Sequence, residues 1–225
     1  MQPIKNLARY IDHTLLKPEA SLKDIEQLCA EARDHHFYAV CVNGSWVTQA
    51  RHFLDDSDVK VATVVGFPLG ATDSDTKRFE TEAAIDNDAQ EIDVVINIGR
   101  LKDGDDRYVL RELRDVVEAA AERPVKVIIE TCLLTNAEKI RACRIVLEAG
   151  AQFVKTSTGF STGGATIADV KLLREIVGEK FGVKAAGGIR DTATALAMIE
   201  AGATRLGTSS GMAIVRSMSR VEAGG

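Results

Sequence analysis

Three ionisable residues, Asp93, Lys155 and Lys184, lie inside segments of otherwise apolar and small residues. Burial of a charge is costly, so each of them indicates either an interior ion pair or a reaction that uses the charge. A free lysine has a pKa of about 10.4 and is protonated at neutral pH. A second ammonium nearby, together with desolvation, lowers that pKa and lets the amine attack a carbonyl carbon. The two lysines therefore indicate imine chemistry, with Asp93 as the acid or base.

Periodicity does not decide which of the two lysines is the nucleophile. Lys155 leads directly into a loop of hydroxyl-bearing and small residues, whereas Lys184 is followed by alanines and glycines. The first loop offers hydroxyls and backbone N–H groups to a substrate. This difference favours Lys155 as the nucleophile and Lys184 as the neighbouring ammonium.

Glycine-rich loops follow both the segment that carries Lys184 and the last predicted strand. Glycine lets backbone amides approach an anion closely, and the loops after strands 7 and 8 form the recurrent phosphate site of (β/α)8 barrels. Each loop alone is also typical of a tight turn, but the two together predict a phosphate site. Its candidate residues are Thr158, Gly159, Gly187, Gly188, Gly207, Ser209 and Ser210.

Short β-branched runs alternate with amphipathic segments along the whole chain. The predicted strands cover residues 9–13, 38–43, 60–66, 91–97, 125–131, 152–157, 183–186 and 205–209. The predicted helices cover residues 22–35, 45–54, 73–86, 108–121, 137–148, 167–180 and 192–200, with a last one from Met212, and residues 101–107 are predicted as a loop. Gly150 and Gly202 are placed to end two of the helices.

This alternation predicts an α/β protein with a parallel sheet, either doubly wound and open or closed into a barrel. Eight units in 225 residues suit a compact (β/α)8 barrel. Residues 147–159 also resemble residues 199–211, as if one helix–Gly–strand unit recurred. We therefore predict a single (β/α)8 TIM barrel over residues 1–225 with a short N-terminal extension.

Composition narrows the range of functions. A net charge of −5 argues against a nucleic-acid or anionic-membrane partner, since both need a basic surface. The four cysteines form no C-x-x-C pair, which is typical of free thiols in a reducing compartment. No signal-like or membrane-spanning run is apparent, so a cytoplasmic protein is expected. No metal-ligand cluster is visible, so neither a metal nor another cofactor is expected.

Several other residues are weaker candidates. Asp12 and Thr14 end the first predicted strand, where they either reach the pocket or serve as a structural cap. Cys41 either faces the pocket or is a packed thiol. Lys126 and Glu130 share one face of a strand and are expected to form an interior ion pair. The histidines of the helical segments are read as solvated.

Five motifs resemble those of the deoxyribose-phosphate aldolase family. They are YIDHTLLKP at 10–18, EIDVVIN at 91–97, FVKTSTG at 153–159, VKAAGGIR at 183–190 and LGTSSG at 206–211. The likeness extends from about residue 7 to about residue 215. It implies a (β/α)8 barrel and the reversible cleavage of 2-deoxy-D-ribose 5-phosphate to acetaldehyde and glyceraldehyde 3-phosphate, within deoxyribose phosphate catabolism.

The same resemblance implies roles for individual residues. Lys155 would form the Schiff base, Lys184 would perturb it and transfer protons, and Asp93 would take part in acid–base work. Some members of the family end in a tyrosine that assists proton abstraction, and residues 219–225 contain none. The expected partners are a phosphorylated sugar and small aldehydes, with a homo-oligomer, in particular a dimer, as the assembly.

Two other functions remain open at this level. Another phosphate-binding barrel, such as a phosphosugar isomerase or a different imine-forming synthase, would share the glycine-rich loops without needing the lysine pair. A catalytically silent barrel that serves as a binding or regulatory module would be expected to lack Lys155, Lys184 or Asp93. All three residues are present.

Overall fold

The computed structural model describes residues 6–223, with side chains as far as Met218. The strands are β1 Ile11–Leu15, β2 Ala39–Val42, β3 Lys60–Val65, β4 Glu91–Val95, β5 Val125–Ile128, β6 Phe153–Lys155, β7 Gly182–Ala186 and β8 Arg205–Thr208. The helices are α1 Leu22–Asp34, α2 Val47–Phe53, α3 Ser74–Asp86, α4 Ile98–Lys102, α5 Asp106–Ala119, α6 Asn136–Glu148, α7 Ile167–Val177, α8 Thr192–Glu200 and α9 Gly211–Ala223. Short 3₁₀ turns cover Leu7–Tyr10, Gly44–Trp46 and Thr131–Leu133.

The strands form a closed parallel barrel in chain order, with β1 paired to both β2 and β8. This confirms the predicted (β/α)8 TIM barrel and excludes the open sheet. Alternate strand residues such as Val40, Ile92 and Val154 pack with helix residues in one large apolar core around the barrel. Gly150 and Gly202 take positive φ angles of 82° and 114° after α6 and α8, as predicted.

Some element boundaries differ from the prediction. The first strand was predicted over residues 9–13, but Arg9 and Tyr10 belong to a 3₁₀ turn and β1 runs from Ile11 to Leu15. That turn is the described part of the predicted N-terminal extension. The predicted loop at residues 101–107 was wrong at both ends, since α4 covers Leu101 and Lys102 and α5 begins at Asp106. The Asn97 side chain accepts a hydrogen bond from the Arg100 amide and so starts this helix.

The barrel brings ionisable residues from different strands into register. Lys155 of β6 lies opposite Lys184 of β7, and Asp93 of β4 lies opposite Lys126 of β5. Neighbouring strands are about 4.8 Å apart, so inward side chains at these heights meet within the barrel. Within residues 6–223 no helix is long and apolar enough to cross a membrane.

Candidate active site

Six buried ionisable residues form a closed ring of alternating acids and bases inside the barrel. We call it the ion-pair ring, and its members are Asp12, Glu91, Asp93, Lys126, Lys184 and Arg205. The ammonium of Lys126 bridges Asp93 and Glu91 at 2.7 Å from each. Arg205 Nη1 lies 3.0 Å from Glu91 and 2.9 Å from Asp12. Lys184 closes the ring by pairing with Asp12 and, at 2.7 Å, with Asp93.

Lys155 is attached to this ring but is not part of it. Its Nζ donates to Asp93 Oδ2 over 2.8 Å, the carboxylate oxygen that also accepts from Lys184. Of these seven groups, Lys155 alone lines the neighbouring cavity, with 3% of its surface exposed. The amine of Lys155 is therefore the basic group of the cluster that a molecule in the cavity can reach.

Burial and charge act on the two lysines in opposite directions. Burial lowers the pKa of Lys155, and the charge of Lys184 adds to this although Asp93 opposes it. Burial also disfavours the ammonium of Lys184, but Asp12 and Asp93 outweigh it and raise the pKa of that group. A second ammonium and desolvation were both expected to lower the pKa of Lys155, and desolvation is the larger of the two causes. The arrangement favours a neutral amine at Lys155 beside a charged Lys184.

Two carboxylates of the ring, Asp12 and Asp93, are held in their ionised form. Burial opposes the ionisation of Asp12, but Lys184 and Arg205 outweigh this effect and lower its pKa from 3.8 to about 2. Burial opposes ionisation at Asp93 too, yet the charges of the three lysines hold its pKa well below its usual range. Asp12 and Asp93 therefore keep their charges throughout the neutral pH range.

We expect Asp12→Asn to lower the free energy of unfolding at pH 7 by about 2 kcal/mol or more. Because the folded-state pKa of Asp12 is depressed, its contribution is complete above the ordinary value of 3.8 and is lost as pH falls towards 2. Urea unfolding at pH 7 and at pH 3 would measure this. Asp58→Asn is the control, since it breaks an exposed pair with Arg9 that contributes little at either pH. A difference between wild type and Asp12→Asn that stays constant down to pH 2 would contradict the assignment.

The cavity, of about 370 Å³, opens at the C-terminal ends of the strands. Its lining includes most of the predicted phosphate residues, namely Thr158, Gly159, Gly187, Gly188, Gly207 and Ser209. Ser210 does not line it, and its amide donates to Thr208 Oγ1 instead. Most of the predicted phosphate residues thus share one wall near the Lys155 amine.

The glycines of this wall are needed for different physical reasons. A Cβ on Gly187 would lie 2.9 Å from Gly164 Cα, so that position permits two loops to pack. A Cβ on Gly207 would lie 3.1 Å from Lys184 Cε, so that position leaves room for the lysine. Gly188 has φ of 81° and open space where a Cβ would be. Gly188 is therefore a position at which a side chain would enter the cavity, and Gly159, with φ of 86° and equally open space, is another.

The remaining candidates separate into cavity and interior positions. Thr14 lines the cavity, and its hydroxyl donates to the Asp12 carbonyl, whereas Asp12 itself belongs to the ring. Cys41 does not line the cavity and packs with Leu16, Ala62 and Val64. Burial raises the pKa of its thiol to about 11. Of the two alternatives for Cys41, the packed thiol is therefore the one that the structure shows.

The expected ion pair between Lys126 and Glu130 was wrong. Lys126 pairs with Asp93 and Glu91, whereas the Glu130 carboxylate accepts hydrogen bonds from the amide and hydroxyl of Thr158. The cause is the left-handed backbone of Glu130, with φ of 53°, which turns the chain after β5. Glu130 therefore fixes the loop that follows Lys155.

Sequence reasoning missed four charged residues of this region. Lys17 and Arg190 are exposed cations that line the cavity, and Glu91 and Arg205 complete the ring. Arg190 directly follows the Gly187-Gly188 pair, and that position was the available signal. Glu91 and Arg205 are the first residues of their strands, where a charge normally faces solvent. Among residues 6–223 no cluster of His, Cys, Asp and Glu is arranged to hold a metal ion.

Comparison with known proteins agrees with this geometry. The model of the DeoC/LacD family aldolases matches residues 7–218. The chain is 61% identical over 210 residues to a deoxyribose-phosphate aldolase of Streptococcus pneumoniae, covering 93% of this chain and 96% of that one. It is also 61% identical over 207 residues to that of Streptococcus uberis, covering 92% and 94%.

A solved structure shows the same relationship. It is described as a unique tetrameric structure of deoxyribose phosphate aldolase from Aeropyrum pernix, and it superposes with a TM-score of 0.89. The identity is 32%, and the match covers 96% of this chain and 92% of that one. The chain therefore belongs to the DeoC/LacD family of aldolases and, within it, to the deoxyribose-phosphate aldolases, which makes it a lyase.

Proposed function

We propose that the protein cleaves 2-deoxy-D-ribose 5-phosphate reversibly to acetaldehyde and D-glyceraldehyde 3-phosphate through a Schiff base on Lys155. One observation carries this proposal. The amine of Lys155 lines a cavity whose wall also contains Gly188 and Arg190. A carbonyl at one end and a phosphate at the other match an open-chain sugar phosphate. The proposed pathway is the breakdown of deoxyribose phosphates.

The reaction begins with the neutral amine of Lys155, which attacks the C1 aldehyde carbon. The carbinolamine takes a proton from the charged Lys184 and loses water, which leaves a protonated imine. Lys184, neutral after this transfer, accepts the C3 hydroxyl proton through a water molecule, and the electrons of the C2–C3 bond flow to the imine nitrogen. Glyceraldehyde 3-phosphate departs, C2 of the enamine takes up a proton, and water releases acetaldehyde from Lys155.

Asp93 and Lys184 supply the proton transfers from behind Lys155. Neither lines the cavity, but Asp93 Oδ2 accepts from Lys155 over 2.8 Å and from Lys184 over 2.7 Å. A proton can therefore pass between the substrate and this pair over the Lys155 hydrogen bond or through one water molecule. The lowered pKa of Asp93 makes Lys184 the resting proton donor, while the ionised Asp93 keeps Lys184 charged and accepts protons from the two lysines during the transfer.

An apolar cluster next to the ring suits a small aldehyde. Leu16 lines the cavity and packs with Cys41, Ala62 and Val64 inside the barrel, with Phe67 against them. Phe67 contacts Phe160 edge to face with 5.2 Å between the ring centroids, and Phe160 also lines the cavity. This surface supports a two-carbon donor fragment, because its only polar side-chain group is the weakly hydrogen-bonding thiol of Cys41.

The other end of the cavity is proposed to bind the phosphate. We expect Gly188→Val to lower kcat/KM on deoxyribose 5-phosphate by roughly 10²–10³-fold, because its side chain would fill the space of the anion. Activity on unphosphorylated deoxyribose should change little. Steady-state kinetics with both sugars would measure the lost preference.

Gly178→Val is the matched control for this experiment. Gly178 has a similar φ of 76° and open space at its Cβ position, but it ends α7 away from the cavity. It should show the same backbone strain with the phosphate preference intact. Equal loss of preference in both variants, or equal wild-type efficiency on the two sugars, would remove the phosphate assignment.

The reaction itself is tested by identifying its products. Wild-type protein and deoxyribose 5-phosphate, followed by NMR, should give acetaldehyde and glyceraldehyde 3-phosphate in equal amounts, and the reverse mixture should give the sugar phosphate. Formation of an isomeric sugar phosphate without acetaldehyde would instead favour a phosphosugar isomerase.

We also infer a cytoplasmic homodimer or larger homo-oligomer. The tetramer of the Aeropyrum pernix relative supports assembly. Leu69 and Phe79, which are 75% and 71% exposed, offer apolar surface that a second copy would cover. Light scattering of the purified protein, and cell fractionation, would test these two points.

A further inference from the structure

We propose that Glu91, Lys126 and Arg205, the half of the ion-pair ring farthest from the cavity, are positioning residues that set the protonation of Lys155. This inference rests on the proposed function, in which the neutral amine of Lys155 is the nucleophile. It assigns a role in the reaction to three residues that touch neither the cavity nor the substrate.

The placement of these residues separates them from the chemistry. Glu91 and Arg205 begin β4 and β8, and Lys126 is the second residue of β5, whereas the cavity opens at the other ends of the strands. All three are 5% exposed or less. Their charges are connected to Lys155 through Asp93, which pairs with Lys126, and through Asp12 and Lys184.

The charges of the ring balance without Lys155. The ring holds three carboxylates and three basic groups, each acid lying between two bases. Lys155 is a seventh group attached to Asp93 alone. A proton on Lys155 therefore gives the interior a net positive charge, and its loss restores neutrality. In a buried site this difference favours the neutral amine.

Aromatic rings cover the Arg205 guanidinium at the far end of the ring. The Arg205 guanidinium carbon lies 3.4 Å from the centroid of the Tyr38 ring and 5.3 Å from that of Phe153. Glu91 borders a second pocket at this end of the barrel, but only 2% of its surface is exposed, so solvent screens the three charges weakly. A charge lost at this end of the barrel should therefore act on Lys155 across several ångströms.

The titratable and charged groups that face Lys155 come from six of the eight strands or the loops after them. They are Asp12 and Lys17 from β1 and its loop, Cys41 of β2, Glu91 and Asp93 of β4, Lys126 and Glu130 from β5 and its end, Lys184 and Arg190 from β7 and its loop, and Arg205 of β8. The variants below change one of these charges at a time and leave the groups that touch the substrate in place.

Opposite charge changes should move the pH profile in opposite directions. Glu91→Gln leaves the ring with one extra positive charge, which disfavours the ammonium of Lys155. The acidic limb of kcat/KM should move to lower pH by about 1 unit. Lys126→Met leaves one extra negative charge and should move the limb to higher pH by a similar amount. The substrate phosphate titrates identically in all these assays, so the difference between a variant and wild type reports on the protein.

Two further variants separate charge from shape. Arg205→Met should move the acidic limb of the kcat/KM profile in the same direction as Lys126→Met. It replaces Lys126→Met in the experiment if that variant does not fold. Arg205→Lys keeps the charge and should keep the wild-type limb. Glu112→Gln is the control, because Glu112 pairs with Lys77 at 2.8 Å in a buried site between α3 and α5. It should lower stability and leave the profile unchanged.

Shifts of opposite sign in Glu91→Gln and Lys126→Met support the proposal, since a purely structural role would lower activity in both without moving the limb. Shifts of the same sign, or none, would overturn it. The same samples are treated with borohydride and acetaldehyde, and the labelled lysine is located by peptide mapping. A label away from Lys155 contradicts the proposed function, whatever the pH profile shows. A label on Lys155 without opposite shifts contradicts only the role of the ring.

Discussion

Replacement of Lys155 by alanine is expected to lower kcat for the cleavage of deoxyribose 5-phosphate by on the order of 10⁴-fold or more. The amine is the group of the charge cluster that reaches the cavity, whereas Lys184, at the same height on β7 and also bonded to Asp93, does not line it. Without the Lys155 amine no imine forms, and the electrons of the breaking bond have no acceptor. Steady-state assays of purified variants would measure the loss.

The fold should survive this change. The ion-pair ring stays complete in Lys155→Ala, because its six members pair with one another. Circular dichroism and the urea midpoint should stay close to wild type. Lys171→Ala, at an exposed position on α7, is the control and should keep full activity. A Lys155→Ala variant with more than a few per cent of wild-type kcat would contradict the role of Lys155.

Asp93→Asn is expected to lower kcat by on the order of 10²-fold or more. The amide cannot accept a proton, and it cannot balance the charges of three lysines. Proton transfer should therefore slow, and the ammonium form of Lys184 should be less favoured. Because the lost carboxylate favoured the ammonium of Lys155, the amine should become neutral at lower pH than in wild type. The loss of kcat should therefore persist across the whole pH range. A kcat–pH profile would measure it.

A matched control removes a buried carboxylate elsewhere. Asp169 pairs with Lys139 between α6 and α7, outside the barrel interior. Asp169→Asn should lower stability and leave kcat unchanged. If Asp93→Asn recovered wild-type kcat at any pH, Asp93 would act only through its charge, and its part in proton transfer would be withdrawn.

Most of the fold could be predicted because the barrel strands are short β-branched runs between amphipathic helices. The errors arose where tertiary contacts decide the backbone. Nothing in residues 7–10 shows that they form a 3₁₀ turn ahead of β1. The α4 helix begins where the Asn97 side chain accepts a hydrogen bond from the Arg100 amide. The composition of this segment is typical of a loop and does not indicate that contact.

The candidate site, too, could be predicted only in part. Asp93, Lys155 and Lys184 were visible because a charge in the middle of an apolar strand is conspicuous. Glu91 and Arg205 were not, because a charge at the start of a strand is ordinary and only the closure of the barrel brings β4 and β8 across from each other.

Backbone geometry and loop shape also escaped the sequence. The left-handed backbone of Glu130 could not be read from the residue type, so Lys126 was given the wrong partner. The distinct roles of Gly187 and Gly188 depend on what packs against each, and adjacent glycines look alike in a sequence.

The most direct test of the Schiff base is chemical trapping. The protein is incubated with acetaldehyde and borohydride, digested, and mapped by mass spectrometry. Lys155 should carry a stable ethyl group, and deoxyribose 5-phosphate added beforehand should compete for the site. Lys155→Ala should stay unlabelled in the barrel interior although Lys184 is intact. Labelling of Lys184 in wild type, or loss of activity without any modified lysine in the barrel, would contradict the account.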